Sequence, residues 1–141
     1  ADVARYDVFA ASEAWLAGDA ARALRVLAVI EAGGDGPQLA VWALSEDLHA
    51  IAAVQAMTAA GTPVAAALRN ARVWGKRQAA MERALRRIVA ADLEPMLGAL
   101  ARLDALAKGL GRGNPWNEVA ALAMAIAGKP CRPLAAAAYA S

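Results

Sequence analysis

The stretch ARVWGKRQAAMERALRR, residues 71–87, carries six cationic side chains and one acid, Glu82. It reads either as a strip that grips phosphates or as the wet back of a helix whose other side packs on protein. Placing Trp74 at 0° and advancing by about 100° per residue puts Gln78, Met81, Leu85 and Ile88 within about 40° of Trp74. Lys76, Arg83 and Arg87 gather on the opposite side. Glu82 and Arg86 lie on one flank and Arg77 on the other, its stem against the apolar edge. The stretch therefore predicts an amphipathic helix from Trp74 to Ala90, with a core stripe and a cationic back.

The rest of the chain punctuates itself in the same way. Asp7 is placed to cap a first helix reaching Ala17, and Asp19 a second, AARALRVLAVIEA, stopped by Gly33-Gly34. Gly36-Pro37 opens a third helix running to Ala60, since proline in a first turn has no donor to waste. Thr62-Pro63 starts a short fourth, ending near Asn70. Asp92 caps a sixth, with Pro95 in its first turn and Leu93, Met96, Leu97, Leu100, Leu103, Leu106 and Leu110 as its seam. Asn114-Pro115 opens a seventh, ended by Gly128. No alternating strand pattern is present, and the connections are short, so neighbouring helices should pack as hairpins. The expected fold is all-α, a compact bundle of six or seven helices. One domain is expected over residues 1–128, with a loosely held tail over 129–141.

Composition narrows the function classes. The chain has 141 residues, enough for a core without staples. It opens on Ala1, which suggests processing or excision from a longer protein, and ADVARYDVFAASEAW has charge scattered through it where a signal peptide would need an apolar run. Of its residues 42 are alanine, which explains the high apolar content without a membrane. The longest stretch free of Lys, Arg, Asp and Glu, Leu48 to Leu68, is cut by Gly61-Thr62-Pro63, so no span is expected. Cys131 is alone, compatible with a reducing cytosol and with no internal disulfide. The net charge of +2 is too small to imply nucleic acid by itself.

Chemistry is sparse. His49 is the one histidine, among Leu48, Ala50 and Ile51, and reads as half-buried. Ser12, Ser45 and Ser141 lie in no nucleophile elbow. GGDG (33–36) lacks the lysine and hydroxyl of a phosphate loop, and GLGRGNPW (109–116) follows a helix where a dinucleotide fold needs a strand. Glu46 and Asp47 are adjacent and so diverge on a helix. No catalytic, metal or cofactor site is expected. The cations Arg69, Arg72, Lys76, Arg83 and Arg87 are the candidates for contact with an acidic protein or DNA backbone. Trp15, Trp42 and Trp116 are core or interface anchors, core being the default. With Trp74 turned inward, no aromatic is left for base stacking.

In order and spacing, four stretches resemble the delta subunit of bacterial DNA polymerase III, an arm of the clamp loader. They are YDVFAASEAWLAGDAARALRVL (6–27), GPQLAVWALSEDL (36–48), GTPVAAALRN with ARVWGKRQAAMERALRR (61–87), and LARLDALAKGLGRGNPWNEVAALAMAIAG (100–128). Each is a loose pattern of helix, cap and tryptophan; collinearity over nearly the whole chain carries the resemblance. It implies the helical third domain of that family, which joins matching domains of the motor subunits and delta prime in a circular collar. It further implies a non-catalytic, cytoplasmic assembly role in DNA replication, without cofactor, with the sliding clamp reached only through amino-terminal domains absent from this chain and DNA only indirectly. The alternative is a small basic helical domain that binds nucleic acid directly.

Overall fold

The computed structural model describes residues 2–129, with side chains from Asp7 onward. Seven helices and no strand occur among them: α1 (Asp2–Ala17), α2 (Ala20–Ala32), α3 (Gln38–Ala59), α4 (Val64–Asn70), α5 (Lys76–Arg87), α6 (Ala90–Ala107) and α7 (Pro115–Ile126). The all-α expectation holds. Residues 130–141, with Cys131 and most of the expected tail, lie outside the described residues.

Several helix ends follow the sequence directly. The Asp19 carboxylate accepts the Arg22 N–H at 3.1 Å, and the Asn114 side chain accepts the Trp116 N–H at 2.9 Å, so each satisfies an orphan donor of its helix. Pro115 occupies the first turn of α7. Other ends differ from expectation. The first helix begins upstream of Asp7, which is an interior residue and not a cap. Pro37 and Pro63 stand just before α3 and α4 as their caps. Asp92 sits three residues inside the boundary of α6, where its carboxylate reaches back to the Val89 N–H at 3.1 Å. That earlier start puts Pro95 in the second turn of α6.

The core lies around α1 and α3. The first helix packs against α2, α3, α5 and α7, and the third against α1, α4, α5, α6 and α7. About half of α3 faces inward: Val41, Leu44, Leu48, Ile51 and Val54 are buried, while Trp42, Glu46 and His49 stand exposed on the opposite side. Trp15, Leu16, Met81, Leu103, Leu122 and Ile126 complete the centre. Fully burying side chains of this size stabilises by about 1.5–3 kcal/mol each. Of the expected α6 seam, Leu93, Met96, Leu100 and Leu103 are buried, whereas Leu110 falls beyond the helix and is exposed.

The fifth helix departs most from its predicted orientation. It starts at Lys76, because Gly75 takes φ 67° and breaks the phase between Trp74 and the helix. Trp74 is therefore not part of the stripe; it is 63% exposed. The buried residues are Ala80, Met81, Ala84 and, just past the helix, Ile88. Relative to the predicted stripe, the inward face is turned by roughly 60° on the helical wheel. Alanines at 80 and 84 let α5 approach its neighbours closely, and that turn carries Arg77 and Arg87 toward the core.

Candidate interaction surfaces

Two polar clusters tie the helices together beneath the surface. Asp47, on α3, is almost fully buried. One carboxylate oxygen accepts from the Ser12 hydroxyl and, at 2.8 Å, from the Trp15 indole N–H. The other accepts from Arg77 at 3.1 Å through Nε and 2.6 Å through Nη2. Every partner of the buried charge is a donor, and one is a full counter-charge, which is what a buried carboxylate requires. Three helices meet at this one side chain.

The second cluster is Arg87, at the end of α5. Its Nη2 donates to the carbonyls of Leu16 and Ile126, both at 2.9 Å, and to that of Trp15 at 3.3 Å. Those carbonyls close the ends of α1 and α7, where the orphan acceptors and the negative end of the helix dipole favour a cation. Burial pulls its guanidinium below the usual arginine range. Its Nε is buried without a partner. Gly18 and Gly128, at φ 89° and 83°, let the backbone pass close by the guanidinium.

Outside these clusters lies the candidate surface. Arg69, at the end of α4, Arg72, Lys76 and Arg83 are exposed. Arg87, expected on the same cationic back, is instead half-buried and committed to backbone carbonyls. The segment 71–75 alternates sharply: Val73 is buried, while Arg72 and Trp74 on either side are exposed. Arg72 takes φ 61°, a left-handed conformation uncommon for a non-glycine residue. An exposed tryptophan thus stands in the chain between Arg72 and Lys76, where an inward one was expected.

The three other tryptophans separate. Trp15 is core, and Trp116 is partly buried against the core. Trp42 is 44% exposed and meets the 52% exposed Phe9 edge to face, with ring centroids 6.1 Å apart. His49 is exposed, not half-buried as expected, because α3 turns it outward; its Nδ1 lies 2.8 Å from the Ser45 carbonyl oxygen. Comparing Asp47 only with its neighbour Glu46 hides its role as a structural centre. The better signal is phase: Asp47 shares the wheel sector of Leu44 and Ile51.

No helix among the described residues is long and apolar enough to cross a membrane, and they contain no group of three or more potential metal ligands. No individual curated protein matches the chain. Residues 8–133 match the family model described as processivity clamp loader gamma complex DNA pol III C-term. With this match and its all-α architecture, the chain belongs to the family of clamp-loader C-terminal domains of DNA polymerase III delta.

Proposed function

We propose that this chain is a non-catalytic assembly domain: it joins the collar of clamp-loader subunits and holds the clamp-opening arm in register with the motor subunits and delta prime. The observation that supports this reading most is the family match over residues 8–133. The surface agrees with it. Phe9, Val29, Trp42, Val64, Trp74, Val89 and Leu110 are large apolar side chains left exposed in the lone chain, and exposed apolar area is what a protein interface uses. The domain acts in the cytoplasm, and the sliding clamp is reached by other parts of the subunit. The test is association. Mixed at tens of micromolar with the C-terminal domains of the motor subunits, the chain elutes with them in size exclusion; separate elution contradicts the reading. ATP calorimetry gives no heat of binding, and a micromolar affinity contradicts the non-catalytic assignment.

A second reading is direct contact with nucleic acid, and the exposure of Trp74 favours it. A tryptophan beside Arg72 and Lys76, with Arg69 on the preceding helix, offers a π-face and phosphate-pairing cations together. Titration of single-stranded DNA at two salt concentrations decides. A log–log slope of about −0.7 per phosphate contact, lost with Trp74→Ala and Lys76→Ala, supports this reading. Negligible binding at both salts leaves assembly alone.

A further inference from the structure

The cleft between α1 and α3 has the chemistry of a receptor for one cationic side chain. Its walls are Phe9 and Trp42, whose rings stand at 77° to each other. Its lining continues through Ser12, Glu46, Asp47 and Arg77, and it encloses about 170 Å³. That is room for one long side chain, not for a helix or a nucleotide.

The electrostatics of the lining are uneven. Arg77 and Asp47 neutralise each other at 2.6 Å, and Asp47 is further held by Ser12 and Trp15. Glu46 is exposed on the same wall and makes no ion pair among the described residues. It lies one turn after Trp42 on α3, just as Glu13 lies one turn after Phe9 on α1, so each aromatic has a glutamate on its own face. Glu13 likewise makes no ion pair among the described residues. The chain as a whole is basic, with pI near 9.0; this patch is locally acidic. Two aromatic faces with adjoining carboxylates attract a guanidinium or ammonium group, through the ring quadrupole within about 6 Å of its centroid and through charge.

We propose that the Phe9–Trp42 cleft receives an arginine or lysine side chain presented by a neighbouring subunit of the loader. The aromatic rings hold its aliphatic stem and Glu46 its charge. Arginine suits the site better, because its planar head stacks on an indole while hydrogen-bonding a carboxylate in the same plane. This rests on the assembly reading above and adds to it the location and chemistry of one contact.

The experiment measures binding of the chain to the C-terminal domains of the motor subunits by surface plasmon resonance at two salt concentrations. Wild type, Trp42→Ala, Phe9→Ala, Glu46→Gln and the control Glu31→Gln, an exposed glutamate on α2, are compared. Thermal midpoints within a few degrees of wild type confirm folding; Trp42 and Phe9 are half-exposed, so the bundle survives their truncation. The expected result is at least a tenfold loss of affinity for Trp42→Ala and Phe9→Ala. Glu46→Gln is expected to give a several-fold loss with a shallower salt dependence, and Glu31→Gln no change. Wild-type binding with unchanged Trp42→Ala and Glu46→Gln affinities overturns the cleft and leaves the assembly reading standing. An unchanged salt dependence in Glu46→Gln overturns the cationic occupant. Absence of wild-type binding overturns the assembly reading and the cleft with it. Concentration-dependent dimerisation lost in Trp42→Ala would assign the cleft to a second copy of this chain and overturn the proposed partner.

Discussion

Asp47 and Arg77 meet at 2.6 Å across α3 and α5, the carboxylate enclosed and the guanidinium one-third open to solvent. The asymmetry sets their separate contributions. Removing the carboxylate leaves the Ser12 hydroxyl and the Trp15 indole without an acceptor inside the core. Removing the guanidinium leaves an anion that still has two donors and lies beside an open cleft.

Asp47→Ala is therefore expected to lower the unfolding free energy by about 3 kcal/mol, the sum of two buried donors left unmade. Arg77→Met costs less, about 2 kcal/mol, since water entering the cleft hydrates the exposed side of the pair. Urea denaturation measures both, and a double-mutant cycle gives their coupling. Values within about 0.5 kcal/mol of wild type for Asp47→Ala contradict the account.

Arg87 and Arg83 lie one helical turn apart and look alike in sequence, yet only Arg87 reaches backbone carbonyls of other helices. Arg87→Ala is expected to cost about 2 kcal/mol, because the ends of α1 and α7 lose their shared cation and donors. Arg83→Ala should fall within about 0.5 kcal/mol of wild type, as an exposed substitution. Thermal or urea unfolding separates them; equal effects contradict the bridging role.

Gly75 takes φ 67° and ψ −145°, a combination open to glycine and closed to other residues. A Cβ there meets no atom within 4 Å, so any penalty belongs to the backbone alone. Gly75→Ala is expected to destabilise by about 1–3 kcal/mol. It is also expected to shift Trp74, seen as a changed indole resonance in NMR. A neutral substitution with unchanged spectrum contradicts this.

Fluorescence quenching tests the sorting of the tryptophans. Trp74 and Trp42 are open to solvent and Trp15 is closed. Trp74→Phe should remove the largest acrylamide-accessible component, and Trp42→Phe the next. Trp15→Phe should leave the accessible fraction intact in whatever protein remains folded.

Much of the bundle is legible in the sequence because its signals are local. Asp19, Asn114-Pro115 and the glycines after α1, α2 and α7 act within a turn of themselves, and the structure places helix ends there. The orientation of α5 is not local. A wheel starting at Trp74 assumes unbroken helical phase, and one glycine at positive φ removes that assumption. It also ranks residues by hydrophobicity, whereas Ala80 and Ala84 turn inward because small side chains permit close approach. The role of Arg87 depends on which other helix ends arrive beside it, and long-range assembly leaves no mark at position 87. Asp47 is legible in principle: a carboxylate in register with Leu44 and Ile51 signals a buried polar centre. Trp42 carries no such signal, since a tryptophan on a helix serves core and surface equally well.

The central claim is that this chain alone carries a surface that joins it to the other subunits of the loader. Competition tests it most directly. The loader is assembled from its motor subunits, delta prime and labelled intact delta in the presence of increasing amounts of this chain. The account predicts that excess chain displaces labelled delta from the assembled complex and that clamp loading falls in proportion. Undiminished incorporation of delta at a large excess of folded chain would contradict it.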